Sequence, residues 1–486
     1  MRIAFCSSEM ASLAKVGGLA DVTESLPKAL AGLGEDVWVF LPLYKQIWEG
    51  HSSELEDTGL EVSLWMDGEV RRAAIWKTAV QGVPVYLVDR REYFYRDHPY
   101  GTPEGDYPDN PYRFAFFSRT VLEAIRALGL GVDVIHCNDW ETALVPVYLE
   151  HCYKDDHELR GVGTIFTIHN LAYQGVFQKE ILPRIGLDWS LFHMEALEYY
   201  GNINYLKGGI IFSQVVSTVS PTYAKEIQTE RFGYGLDGVL RKKADRLFGV
   251  LNGIDYEEWD PATDPKIYVN YDREHLEAKY ENKNRLRGEE GLLVALGGPL
   301  AGMVGRLVEQ KGVDLVHAVV GDMVSMGMQL IILGSGEKRY HDMLLELQDR
   351  YKGMVSINIG YSDELASKIY AGCDLFFMPS RYEPCGLGQM IALRYGTIPV
   401  VRATGGLADT IQEYNPDTGE GNGFVFRAFK PGEFLAAIQR AHSVYGDKEN
   451  WRALVRGAME CDFSWGASAK RYLELYEMAK RLAAPG

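Results

Sequence analysis

Residues 2–40 read RIAFCSSEMASLAKVGGLADVTESLPKALAGLGEDVWVF. Residues 2–6 are a short apolar run, the pattern of a buried strand. A glycine-bearing loop from Lys15 to Asp21 follows. Leu26, Ala29 and Leu30 then recur at helical spacing, and Gly32 and Gly34 end the helix. Val37-Trp38-Val39-Phe40 is the next strand. This order makes a βαβ unit with its loop at the carboxyl end of the first strand.

The same grammar extends along the chain. Val83–Val88, Val132–His136, Thr164–Ile168 and Val215–Val219 read as strands, and a helix starts near Asp139. In the second half, Leu300–Gly305, Gln329–Leu333, Val355–Ile359, Leu375–Met378 and Ile398–Val401 are strands. Helical patterns fall after about Gly312, around 363–371 and around 386–395. Non-alternating strands that take turns with helices mean parallel α/β sheets. Two such sets in 486 residues predict two doubly wound domains. Asn252–Asp264 is rich in turn residues and reads as the linker. The expected domains are 1–255 and 256–464. A last helix over about Ala467–Leu482 is expected to place 465–486 back on the first domain.

Composition limits the partners. Lys and Arg number 50 against 67 Asp and Glu, a net charge of −17. That balance argues against a nucleic-acid coat or an anionic membrane as partner. The 51 glycines are about one residue in ten, against a usual share of about 7%. Glycine is used where backbone bends tightly or approaches a ligand. The chain opens directly into a strand and has no apolar stretch of about 18 residues, so neither a signal peptide nor a membrane span is expected. The six cysteines include no Cys-x-x-Cys pair, which fits neither a disulfide framework nor a zinc knuckle. A reducing cytoplasm is the expected location.

One pentapeptide occurs twice, as Gly17-Gly18-Leu19-Ala20-Asp21 and as Gly405-Gly406-Leu407-Ala408-Asp409. Each copy follows a strand and precedes a helix. Paired glycines there let N–H groups face an anion at a helix N-terminus. A single copy is as readily a tight turn with the acid as N-cap. Two copies in two sheets favour a ligand held across a cleft, because open α/β sheets bind at strand carboxyl ends. The chain has no P-loop, and no Gly-x-Gly-x-x-Gly follows the first strand. It also lacks an Asp-x-Asp metal motif, so a leaving diphosphate would need side chains and helix ends to neutralise it. Lys15, Arg306 and Lys311 stand in loops at strand carboxyl ends and could supply that charge.

These residues carry a resemblance. Lys15-Val16-Gly17-Gly18-Leu19 resembles the N-terminal loop of bacterial glycogen synthases and plant starch synthases. Asn138-Asp139-Trp140, Thr167-Ile168-His169-Asn170-Leu171 and Asn252-Gly253-Ile254-Asp255 are similar to later motifs of that family. So are Arg306…Lys311-Gly312, Ser380-Arg381-Tyr382-Glu383-Pro384-Cys385-Gly386-Leu387 and Thr404-Gly405-Gly406. The matches run in family order from about residue 2 to about residue 465.

The resemblance implies two Rossmann-like domains facing a cleft, the glycosyltransferase B architecture. It implies glucosyl transfer from ADP-glucose to the non-reducing end of an α-1,4-glucan such as glycogen, with retained configuration. The partners would be a nucleotide sugar and a glucan, with no cofactor and no metal. UDP-glucose as donor, a nucleotide-sugar epimerase on the same fold and a non-catalytic glucan-binding protein are the alternatives.

By the same resemblance, Glu383, His169, Asp139, Arg306 and Lys311 carry the chemistry. Lys15, Gly17, Gly18, Asp21, Arg306, Lys311, Glu383, Cys385, Gly386, Leu387, Thr404, Gly405 and Gly406 bind the donor. Tyr100, Asn110, Asp139 and Asn170 meet the acceptor. Each has a plainer reading. Glu383 would serve as a helix N-terminal acid, Asp139 as an N-cap, and Cys385 as a small packed residue. Two departures stand out. Ile391 occupies a position where many retaining enzymes of this fold carry a second Glu. Gly388 stands where the family often has Thr, which either removes a hydroxyl near the phosphates or adds backbone freedom.

Overall fold

A computed structural model describes residues 1–102 and 104–484. The chain divides into two compact units, Met1–Gly253 with the stretch from Trp465 onward, and Ile254–Ser464. No helix among the described residues is long and apolar enough to cross a membrane.

The first unit is built on strands β1 (Arg2–Cys6), β2 (Asp36–Pro42), β3 (Glu56–Met66), β4 (Glu69–Val80) and β5 (Val83–Asp89). It continues with β6 (Val134–Asn138), β7 (Gly163–Ile168), β8 (Val215–Thr218) and β9 (Leu247–Gly249). Their order across the sheet is β9-β8-β7-β6-β1-β2-β5-β4-β3. From β9 to β5 every pairing is parallel. Ile3, Ala4, Phe5 and Cys6 are all fully buried, which is why the central strand is apolar without alternation.

The sheet is mixed, however, rather than purely parallel. β3, β4 and β5 form an antiparallel meander at one edge, and the sequence reading finds only its last strand. The signals were present. Asp67-Gly68 and Gln81-Gly82 join these strands, with both residues of each pair at positive φ. That is the two-residue turn whose twist matches a hairpin. Val62, Leu64 and Met66 point inward while Ser63 and Trp65 point out.

The second unit carries β10 (Leu300–Val304), β11 (Gln329–Gly334), β12 (Val355–Ile359), β13 (Leu375–Met378), β14 (Ile398–Arg402) and β15 (Phe424–Phe426). Their order is β12-β11-β10-β13-β14-β15, parallel throughout. Asp374, just before β13, ties the two central strands at their amino ends. Its Oδ2 accepts the N–H of Leu300 at 2.7 Å and pairs with buried Lys283 at 2.5 Å. Among the parallel strands of each sheet the order reverses once, between β1 and β6 and between β10 and β13. Open α/β sheets bind ligands at the carboxyl ends of such pairs.

The helix Trp465–Ala483 belongs to the first unit, although the second unit precedes it in the chain. Tyr472, Tyr476 and Ala479 on it are buried. Tyr476 Oη lies 2.8 Å from Nδ1 of buried His136 on β6. His136 Nε2 lies 2.6 Å from Thr167 Oγ1, which meets Ser217 Oγ at 2.6 Å. Burial pushes His136 far below the usual histidine range, so the ring is neutral. The helix backbone comes close to β7: a Cβ on Gly163 would sit 2.8 Å from Ala479 C and Lys480 N. Gly163→Val should therefore lower the stability of this unit by about 1–3 kcal/mol through overpacking. An unchanged melting temperature would show that the helix is not seated at Gly163.

Candidate active site

The loop after β1 folds back on a buried acid. Glu9 Oε2 accepts the N–H groups of Val16 at 2.8 Å and Gly17 at 2.7 Å. Its Oε1 accepts the hydroxyl of Tyr100 at 2.7 Å. Tyr100 Oη also lies 2.8 Å from Ser8 Oγ. Gly17 is the N-cap of the helix Gly18–Gly32. A Cβ on Gly17 or Gly18 would meet nothing within 4 Å, so this glycine pair borders open space. The N–H of Gly17 is committed to Glu9. The Ala20 N–H donates to the Gly17 carbonyl at 3.2 Å, so the amides left to face an anion are those of Gly18 and Leu19. Lys15, 41% exposed, pairs with Asp21 in that turn at 2.7 Å.

The loops after β6 and β7 meet beside it. Asp139 has a left-handed φ of 55°, unusual for a residue with a side chain. Asn138, not Asp139, is the N-cap of the short helix Asp139–Thr142. The Asp139 carboxylate instead accepts the His169 N–H at 2.8 Å. Burial pushes its pKa up to about 7; the Glu9 charge adds to this, and the His169 and Asn170 amides oppose it. Asn138 Nδ2 donates to the Cys6 carbonyl at 2.9 Å, which turns its Oδ1 toward His169 Nε2, also at 2.9 Å. His169 Nε2 therefore carries the proton. Burial pushes this histidine down to about 3, leaving a neutral ring with Nδ1 as its acceptor. Asn170 Oδ1 accepts the Ala172 N–H at 3.1 Å.

Asn110 lies deeper than expected of a residue that meets a substrate. It is buried, its Nδ2 donates to the Tyr100 carbonyl at 2.8 Å, and its Oδ1 accepts from Arg113 at 2.6 Å. Its side chain holds the Tyr100 main chain.

In the second unit the loops after β10, β13 and β14 interlock. Glu383 is buried, and its Oε2 pairs with Lys311 Nζ at 2.7 Å and accepts from Ser380 Oγ at 3.0 Å. Arg306 is exposed, with Nη2 3.4 Å from Gln310 Oε1. Gln310 bonds in turn to the main chain of Tyr382 and Arg381. Arg402, buried at the end of β14, donates to the carbonyls of Ser380 and Arg381. Gly386 has φ +75° at the turn that leads into the helix Gly388–Arg394. Cys385 is buried and Thr404 is the N-cap of the helix Gly405–Thr410.

The second glycine pair has surroundings opposite to the first. A Cβ on Gly405 would fall 1.9 Å from the Glu383 carbonyl oxygen, and one on Gly406 2.1 Å from that of Cys385. The Gly406 N–H donates to the carbonyls of Glu383 and Pro384, both at 3.1 Å. These glycines let one loop lie on the backbone of another. Gly388 also has a packing reason. A Cβ there would press on Phe376 at 3.0 Å and on the Tyr370 hydroxyl at 3.2 Å.

The structure thus gathers Lys15, Gly17, Gly18, Asp21, Tyr100, Asp139, His169 and Asn170 at the β1/β6 switch of the first unit. It gathers Arg306, Lys311, Glu383, Cys385, Gly386, Leu387, Thr404, Gly405 and Gly406 at the β10/β13 switch of the second. Sequence reasoning assigned no role to Glu9, Asn138, Gln310 and Arg402, each of which has a partner distant in the chain.

Comparisons with known proteins agree with this layout. Residues 2–242 match the model of the starch synthase catalytic domain, and residues 289–454 match that of glycosyl transferases group 1. A glycogen synthase of Fervidobacterium nodosum is 48% identical, covering 99% of both chains. One of Moorella thermoacetica is also 48% identical, over 100% of this chain and 98% of its own. The catalytic domain of starch synthase IV from Arabidopsis thaliana, solved with ADP and acarbose, superposes with a TM-score of 0.90 at 37% identity over 99% of each chain.

The two glycine pairs should respond differently to alanine. Gly406→Ala should cost about 1–3 kcal/mol of stability, while Gly17→Ala should melt like the wild type. Equal melting temperatures would remove the distinction. Asp139 adds a pH dependence. Its folded pKa of about 7 lies above the ordinary 3.8, so it supports the fold as the acid and opposes it as the anion. The wild-type melting temperature minus that of Asp139→Asn should be greatest below pH 3.8 and fall as pH rises to about 7. A difference constant across that range would rule out the raised pKa.

Proposed function

The chain belongs to the bacterial glycogen synthase and plant starch synthase family and is a glycosyltransferase, and from that premise we propose that it transfers glucose from ADP-glucose to the non-reducing 4-hydroxyl of an α-1,4-glucan with retained configuration. The observation that carries this reading is the grouping of Arg306, Lys311 and buried Glu383 at the β10/β13 switch. Two fixed cations suit a leaving diphosphate, and charge-assisted bonds to phosphate are strong. The ADP bound to starch synthase IV supports the choice of nucleotide.

In this reading Lys15, Arg306 and Lys311 neutralise the diphosphate. Lys311 exchanges Glu383 for phosphate, and Glu383 then accepts from a glucose hydroxyl. The turn at Gly386 and Leu387 and the Gly405-Gly406 packing hold that carboxylate in place. Asp21 keeps Lys15 oriented. His169, neutral at physiological pH, offers Nδ1 to a sugar hydroxyl and its carbonyl to an oxocarbenium-like centre. Asp139 and Asn170 orient the acceptor, with Tyr100 beside them and Asn110 beneath it. The reading requires no cofactor and no metal.

In this reading no side chain acts as a covalent nucleophile, and the departing phosphate takes the acceptor proton in a front-face displacement. A glucosyl-enzyme ester trapped with a slow fluorinated donor would overturn that step. Lys15→Ala and Arg306→Ala should each lower turnover at least about a hundredfold, for about 2.7 kcal/mol per lost donor. A wild-type rate in either would remove that residue from the site. The donor is decided by offering ADP-glucose and UDP-glucose with maltooligosaccharide and following nucleotide release and chain growth. ADP release with a growing chain is expected. UDP preference, or free sugar with no growth, would overturn the assignment.

A further inference from the structure

Glu9 is a buried anion directly beneath a loop expected to meet another anion. Burying a carboxylate is costly unless hydrogen bonds replace its water. Three donors do so, and they come from two different places. The Val16 and Gly17 amides reach Oε2 from the loop that follows Lys15. The Tyr100 hydroxyl reaches Oε1 from a segment some 90 residues later in the chain. All three donate and favour the ionised acid, against the burial that raises its pKa above the ordinary carboxylate value.

Each side is held further. The bonds to Val16 and Gly17 fix the backbone between Lys15 and the N-cap of the helix Gly18–Gly32, and hence the start of that helix. On the other side Tyr100 is fixed at both ends. Its hydroxyl lies between Glu9 and Ser8, and Asn110 holds its carbonyl, itself held by Arg113. Glu9 is the link between these two supports.

We propose that Glu9 is the positioning residue that registers the Lys15–Gly18 loop against Tyr100, so that one buried carboxylate sets the nucleotide-sugar contact and the glucan contact of this unit together. The inference rests on the functional reading above for the identity of the two substrates. The positioning itself is read from the geometry. Glu9 need not touch either substrate, because it acts through Lys15 and Tyr100.

Replacement by glutamine distinguishes registration from charge. Glutamine Oε1 accepts from both amides while its Nε2 faces the Tyr100 oxygen, and Tyr100 then turns its own proton to Ser8. Alanine loses all three bonds. Glu9→Ala should raise KM for ADP-glucose and for maltooligosaccharide together, each by about tenfold or more, a loss on the scale of one to two hydrogen bonds. Glu9→Gln should stay within about threefold of wild type for both, the rescue expected when the bonds are kept. Hydrogen exchange in the unliganded protein should show the 12–20 segment opening in Glu9→Ala and closed in Glu9→Gln. Should the alanine variant not fold, Glu9→Asp replaces it with the same expectation, since the shorter acid cannot span both sets of donors.

A rise in KM for only one substrate, or for neither, overturns the proposal. So does a glutamine variant as impaired as alanine. If the wild type turns over no ADP-glucose, the functional reading fails, and the exchange measurement then decides the role of Glu9 by itself.

Discussion

The rest of the molecule depends on a constraint of parallel sheets. A strand and its parallel neighbour need a crossover, and that crossover has a fixed hand. When the order reverses, the connections of two adjacent strands leave to opposite faces, and their carboxyl ends stay uncovered. The chain has two such places, at β1/β6 and at β10/β13. Every residue assigned to the chemistry lies in a loop that starts at one of these strands, at the strand beside it, or packs against such a loop. The sheets also fix what lies at the opposite end. At the amino ends of β10 and β13, Asp374 and Lys283 are buried as a pair, with Leu300 satisfying the acid. Such a pair is costly to break from one side, and it holds the strands together away from the site.

The two buried acids at the switch loops each have several partners. Glu383 has Lys311 and Ser380, and Glu9 has two amides and a phenol. The net charge of −17 therefore says little about the site. Two of the three cations that could meet phosphate are partnered by local acids, Lys15 by Asp21 and Lys311 by Glu383. An incoming diphosphate would replace those partners rather than meet a bare positive surface. A neutral glucan would not be repelled by the acidic shell around it.

Much of this was legible in the sequence, because the elements that carry it are local. The βαβ opening, the glycine loops and the strands of the second sheet are each set by short-range patterns. The motifs lie in those loops and so could be placed before any coordinates. What escaped reading depends on distance in sequence. Glu9 meets Tyr100, Asn138 meets Cys6 and Arg402 meets Ser380, and no spacing announces such pairs. The edge meander escaped for another reason: its two turns carry the signal, but its strands are half exposed and weakly apolar. The repeated pentapeptide shows the limit of local reading most plainly. One copy borders open space and the other is pressed against backbone oxygens, with the same five residues in each.

The helix Trp465–Ala483 bears on how the chain is made. The first unit ends its main run at Gly253, yet the piece that covers Gly163 and His136 is translated about 210 residues later. At about 5–20 residues per second, that gap lasts roughly 10–40 s on the ribosome. During that time β6 and β7 lack the Tyr472 and Tyr476 side chains that bury them, while the second unit emerges and folds. The N-terminal unit is therefore completed last, and a chain truncated before Trp465 would carry two formed sheets, one of them with an open apolar face.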